Sequence, residues 1–377
     1  MIDRRTLLGG ALPVALTLAG CAPRAARTRP PGDLFFIGSN GTTLHAARLD
    51  ARAGELRMIG PVATLSKPTW ALLHPRLSML YVADQGAAGQ VVAFRIDLAS
   101  GGLTRAGAAP AGGGTTHLAI DPRGRALLAA NYAEGSVASI AIGPDGFPGA
   151  RISTIAASGS GPHRRQASPH AHGVMLDPSG RFALVADLGT DRLFVYRFDP
   201  RTGALADDDV ARHLILPSGS GPRHFAFHPN GRIIYLLGEL TADIFAIRWD
   251  ARVGRATLFQ TLPANAPGFT GASTVSEVMI SRDGRFAYVA NRGDSTIVVH
   301  AIDPRDFTLR PIQRIASGGN YPWDFRIHAG GRWMIVANER SDLLTLLAID
   351  PRNGMLTATG KSLAVPKPAN ITFANAG

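Results

Sequence analysis

Cysteine is nearly absent: Cys21 is the only one in 377 residues. That excludes an intramolecular disulfide framework and any cysteine-rich zinc or iron–sulfur centre. Lysine is almost as scarce. Only Lys67, Lys361 and Lys367 are lysines among 39 basic residues, so the net charge of +11 is carried by arginine. No run of basic residues interleaved with aromatics follows residue 32, and no nucleic-acid partner is expected. The balance suits a small anionic ligand better. Helical patterning is also missing, since no 3.6-residue apolar period of useful length appears after residue 32. With 45% apolar and 18% charged residues, the chain is nevertheless not a disordered one.

What is abundant is turn chemistry, with 43 glycines and 26 prolines, and this favours many tight turns over long helices. The N-terminus has a different character. Arg4-Arg5-Thr6-Leu7-Leu8 is a twin arginine followed by an apolar stretch, Leu7 to Ala19, too short for the roughly 20 residues of a membrane-spanning helix. It reads as a twin-arginine export signal, a route that carries folded proteins. Leu18-Ala19-Gly20-Cys21 resembles a bacterial lipobox, which makes Cys21 the expected lipidation site. The alternative is a plain cleaved signal. Residues 1–32 are therefore read as signal and tether, leading to a membrane-anchored location in the periplasm or cell envelope. Residues 33–377 are read as one folded domain.

That domain is repetitive. Asp177-Pro178-Ser179-Gly180-Arg181 recurs as His228-Pro229-Asn230-Gly231-Arg232, as Asp121-Pro122-Arg123-Gly124-Arg125, and around Gly284 and Gly331. A degraded copy, His74-Pro75-Arg76-Leu77-Ser78, comes first. The glycine position falls at 77 (a leucine), 124, 180, 231, 284 and 331, so the period lies between 47 and 56 residues. Strand-like repeats of that length mean propeller blades. Each unit reads as four antiparallel strands separated by Pro/Asn/Gly turns. The C-terminal Pro368–Phe373 looks like a first strand lacking a second, and Leu34–Asn40 like a second lacking a first. Together they complete a seventh blade and leave no open sheet edge. The fold class is thus all-β, a seven-bladed propeller, and a monomer is expected.

Superimposing the copies defines two rings. Eight residues before the turn position, at the start of the innermost strand, stand Thr69, Thr116, His172, Arg223, Ser276 and Trp323, with Ala369 completing the ring. Eight residues after it, at the end of the second strand, stand Gln85, Tyr132, Leu188, Glu239, Arg292 and Glu339, with Asn40 completing that ring. Antiparallel neighbours bring both rings to one face. A hydrophobic core has no reason to gather His172, Arg223, Glu239 and Arg292 there; a site for an oxygen-rich anion does. An insertion, residues 158–172, accounts for the longest spacing and delivers Arg165, Gln166, His170 and His172 to the same mouth, while Gly221-Pro222-Arg223-His224 leads into the next unit.

These phrases, with Gly238-Glu239, Ser276-Glu277-Val278 and Ala290-Asn291-Arg292-Gly293, resemble the seven-bladed lactonase family, which includes 6-phosphogluconolactonases and carboxy-muconate cyclases. The resemblance covers residues 33–377. It implies a hydrolase that opens a lactone ring, with a carboxy-muconate cycloisomerase, or a non-catalytic binding propeller of the envelope, as alternatives. By the same resemblance, His172 (or His170), Arg223 and Glu239 are catalytic and Arg292 binds an acidic group of the substrate. Gln166, His170 and His224 are further substrate-binding candidates. Relatives often carry arginine after the proline where Tyr321-Pro322-Trp323 stands here, so Trp323 replaces an anion ligand with a flat apolar surface.

Lactone opening needs a base for water and a positive group for the oxyanion. Glu239 or His172 suits the first task and the planar, permanently charged Arg223 the second. The bland alternative is a buried Glu239–Arg223 pair that merely joins blades. His170 and His172 alternate onto one strand face as metal ligands do, but the resemblance implies neither metal nor cofactor. Glu339 shares the register of Glu239 and is a second candidate acid or base. His74, His228 and His328 are expected to bond backbone at their turns.

Overall fold

The computed structural model describes residues 32–86 and 88–374, and the signal, lipobox and most of the tether lie outside them. The described residues form seven antiparallel sheets, six built from strands consecutive in the chain and the seventh from the last strand and the first three. Numbered by innermost strand, the blades begin at Pro68–Leu73, Thr115–Ile120, Ala171–Leu176, Pro222–Phe227, Val275–Ile280, Pro322–Ile327 and Pro368–Phe373. Blade seven is completed by Asp33–Ser39, whose Phe35 and Ile37 lie opposite Phe373 and Ile371. Both chain ends therefore share one sheet, and the ring has no free inner edge.

Burial follows the radius. Second strands such as Met79–Asp84 and Ile233–Gly238 are buried at every position, because a blade packs on either face of them. Outermost strands such as Leu103–Pro110 show several exposed residues. The core is accordingly divided into clusters between neighbouring blades, for example Trp70, Tyr81 and Leu127 between blades one and two, and Tyr288, Phe325 and Met334 between five and six. Polar atoms fasten the same joints. Tyr81, Tyr235 and Tyr288 each donate a hydroxyl hydrogen bond to a carbonyl of the next blade, at Gly146, Phe307 and Gly354. Two of the turn histidines behave alike: His74 Nδ1 accepts from the Arg76 and Leu77 amides, while its Nε2 reaches Gly124 O at 3.2 Å in the next blade, and His228 Nε2 meets Gly284 O at 3.0 Å. His328 differs, since its Nδ1 accepts from the Gly330 amide but its Nε2 meets the Asp33 carboxylate at 2.9 Å.

The recurring turn glycine has a backbone cause. Gly124, Gly180, Gly231, Gly284 and Gly331 hold φ between +67° and +74°, a region costly for any residue with a Cβ. One blade departs from the four-strand expectation. In blade three the outer strand is split into Leu205–Ala206 and Leu214–Ile215, both paired with Arg192–Phe198. The intervening acidic run turns outward because Asp208 pairs with Arg197 and Arg212 and Asp209 caps the short turn Val210–Arg212.

Candidate active site

Each innermost strand carries a β-bulge at one repeat position. The ladder of blade one runs from Pro68↔Asp84 to Trp70↔Ala83 and skips Thr69; in blade three it skips His172. The other blades skip Thr116, Arg223 with His224, Ser276 with Glu277, Trp323, and Ala369. A bulged residue is released from the pleat and its side chain re-aimed. Repeated seven times, this points the first ring toward the axis.

The resulting cavity, about 190 Å³, is lined by Thr69, Thr116, His172, Arg223, Trp323 and Ala369 of the first ring and by Gln85, Tyr132, Glu239 and Arg292 of the second. Lys67, Trp70, Arg165 and His224 complete the wall. A larger depression, about 980 Å³, lies at the other end of blades five and six, but Met279, Phe286, Tyr288, Ile327 and Phe373 make much of its wall apolar. Ionisable residues line both, but the buried ones, His172, Arg223, His224, Glu239 and Arg292, converge in the smaller cavity.

Glu239 is its electrostatic centre. Its carboxylate pairs with Arg165 Nη1 at 2.6 Å, Arg223 Nε at 2.9 Å and Arg292 Nη2 at 3.0 Å, and His172 Nε2 stands 3.8 Å away. Burial alone would raise this carboxyl; the charges of Arg292, Arg223, His172 and Arg165 outweigh it and hold the group well below the usual carboxylate range. Glu239 is thus a fixed anion and a weak base. His172 is pushed well below its ordinary value by burial, then by Arg223 and His224, and is a neutral imidazole. Arg223 is 1% exposed, and burial lowers it only to about 10, so it stays cationic.

A second polar layer lies beneath. His224 Nδ1 is 2.9 Å from Glu277 Oε2, and the rings of His224, His117 and His172 pack at 4.9–5.0 Å. Asp324 accepts from the Ile371 amide at 2.7 Å and from Asn370 Nδ2 at 3.3 Å, and it lies 3.7 Å from Arg326. Burial pushes the Asp324 carboxyl up to about 7, with Arg326 opposing and Glu277 adding to the rise.

Not every candidate reaches the cavity. Gln166 is fully buried, donates from Nε2 to Leu188 O and Asp191 Oδ1, and receives the His163 amide on Oε1, so it locks the insertion to blade three. His170 stacks on Tyr132 with ring centroids 4.5 Å apart, and its Nδ1 meets Tyr132 O at 2.8 Å. Glu339 opens a short turn, Glu339–Ser341, outside the cavity wall. The insertion and the register bring Arg165 and Tyr132 to the mouth, as expected, but the sequence pairs neither with a partner. Arg165 bridges Glu239 and the Tyr132 hydroxyl from the insertion, a contact 74 residues away in sequence that no repeat register indicates.

A seven-bladed closed propeller with this anion-centred pit matches the family model described as lactonase, 7-bladed beta-propeller, over residues 34–373, and the chain belongs to that family. Among its relatives, a 6-phosphogluconolactonase of Bacillus subtilis is 31% identical over 338 residues, covering 89% of this chain and 95% of the relative. A 6-phosphogluconolactonase of Serratia proteamaculans is 31% identical over 279 residues, covering 73% and 79%. Of solved structures, a periplasmic gluconolactonase of Pseudomonas aeruginosa superimposes with a TM-score of 0.87 at 30% identity, covering 92% of this chain and 99% of that one.

Proposed function

We propose that the protein hydrolyses a sugar-derived lactone in the axial cavity. The observation that carries this reading is the neutral His172 imidazole with Nε2 3.8 Å from a carboxylate that three guanidiniums hold ionised. A water hydrogen-bonded to His172 Nε2 from the cavity side gives its proton to that nitrogen as its oxygen attacks the lactone carbonyl. Glu239 stabilises the imidazolium so formed. Three guanidiniums, Arg165, Arg223 and Arg292, surround the single Glu239 carboxylate, and this surplus of positive charge favours the oxyanion of the tetrahedral intermediate. When the ring carbon–oxygen bond breaks, the leaving oxygen recovers the proton from His172, and a hydroxy acid is released. The names of the Bacillus and Pseudomonas relatives support a six-carbon aldonolactone, with or without a phosphate.

Export through the twin-arginine route and anchoring at Cys21 belong to the same proposal. They rest on Arg4-Arg5 and on Leu18-Ala19-Gly20-Cys21, and the periplasmic relative supports them. Among the described residues no helix is long and apolar enough to cross a membrane. Residues 33–377 then constitute the mature domain.

The test is ring opening of gluconolactone and 6-phosphogluconolactone by the purified protein and by His172→Asn. Loss of a general base lowers turnover by roughly 10²–10⁴-fold, so a folded variant with at least a hundredfold lower rate is expected. Failure of the wild type on every lactone offered would overturn the assignment.

A further inference from the structure

The cavity has two unlike halves. On the side of blades three to five the guanidiniums are engaged with one carboxylate: Arg223 and Arg292 hold Glu239 and also donate to Ser276 O and Val275 O, and Arg165 divides its guanidinium between Glu239 and Tyr132, leaving Arg292 Nε as a buried donor without a partner. On the side of blades one and two stand Lys67, Thr69, Gln85 and Thr116. None of these four side chains has a hydrogen bond or ion pair among the described residues, and Thr69 Oγ1 is a buried hydroxyl without a partner. Buried polar atoms in native structures are nearly always satisfied, so an orphan facing a cavity points to a ligand.

Lys67 is built in rather than loosely attached. Its amide donates to Asp84 Oδ1 at 2.7 Å, and its carbonyl accepts from the Thr69 and Gln85 amides at 3.0 and 2.9 Å. Asp84 spends its other oxygen on Gln90 and does not pair with the Lys67 ammonium. In a ring of seven, blade one stands three places from both blade four and blade five. Lys67 therefore faces the Arg223–Glu239–Arg292 cluster across the pit. It is the one cation in the wall without a carboxylate partner among the described residues. The wall at Trp323 supplies an aromatic face instead, packed on Arg292 at 4.9 Å.

We propose that Lys67, Thr69 and Gln85 form a subsite for an anionic group, a phosphate ester or a carboxylate, at the end of the substrate remote from the lactone carbonyl. This rests on the lactonase reading and adds to it the place where substrate charge is recognised. A lysine is a point-charge partner for such anions, and a hydroxyl and an amide add directional donors.

The test is direct binding, independent of turnover. Calorimetry compares gluconate, 6-phosphogluconate and glucarate on the full-length wild type, Lys67→Met and Gln85→Met. Wild type is expected to bind at least one of the two acids that carry a second anionic group tenfold or more tightly than gluconate, and which one it prefers separates phosphate from carboxylate. Lys67→Met should reduce that preference to threefold or less, and Gln85→Met should cut it several-fold. A wild type without the preference, or a Lys67→Met protein that keeps it, overturns the subsite. Neither result bears on the lactonase reading, which stands or falls on ring opening.

Discussion

Arg223 Nε stands 2.9 Å from Glu239 Oε2, and the two side chains are 1% and 4% exposed. The pair joins blades four's first and second strands at the axis and also fixes the charge of the pit, so it is both scaffold and site. Breaking a buried pair by removing one member leaves a charge without compensation, which costs about 3–5 kcal/mol. Glu239→Gln should therefore lower stability to urea by that amount and reduce ring opening at least tenfold. Parallel unfolding and initial-rate measurements decide it; unchanged stability would show that the guanidiniums find another counter-charge.

The acid limb of activity should lie unusually low. His172 is held well below 6.5 by burial and by Arg223 and His224, so it remains an unprotonated base where an ordinary histidine is already half charged. Turnover per substrate affinity should stay level from pH 8 to below 6.5 and fall only at more acidic pH. A midpoint near 6.5 would remove His172 from the role of base.

Asp324 gives the opposite kind of dependence. Its folded value of about 7 exceeds the ordinary 3.8, so the folded protein keeps a proton that the unfolded chain releases between those values. Stability from this group therefore falls as pH rises through that window and stays lost above it. Glu277, Arg326, Asn370 and the Ile371 amide face it, and none of them reverses the sign. The buried histidines His117, His172, His224 and His300, all lowered by burial, act in the opposite direction and alike in both proteins, so the melting temperature of Asp324→Asn should gain on that of the wild type between pH 5 and pH 8. An unchanged gap would mean that Asp324 holds no proton at pH 5.

Arg165 and Arg223 touch the same carboxylate from different situations. The Arg165 side chain is 38% exposed and comes from an insertion, whereas Arg223 is sealed between strands. Arg165→Ala should raise KM for the lactone several-fold while shifting the melting temperature little. Arg223→Ala should destabilise strongly. Comparable losses of stability would place Arg165 in the scaffold.

Much of this was readable in the repeats. A turn glycine at positive φ marks five of the copies, and counting eight residues either way from the turn position reached nine of the residues that line the cavity, with Ala369 completing the inner ring. The count works because a hairpin fixes the distance from turn to strand end. It fails where side chains leave the register. Arg165 arrives from an insertion with no counterpart in other copies, and Gln166, in the same insertion, turns inward to tie its own loop. Glu339 has the right register, yet its strand ends in a 3-10 turn that carries it off the wall. The effect of Glu277 on Asp324 couples residues of two neighbouring blades, which no single repeat encodes.

Asp33–Ser39 runs toward the cavity face, so the polypeptide enters blade seven from the far end, separated from the pit by roughly the 20 Å length of a seven-residue strand. The chain therefore joins the wheel at the end opposite the pit. Approach to the hub is left clear of the polypeptide's point of entry, so a solute can reach the reactive groups without passing the segment that leads into Asp33.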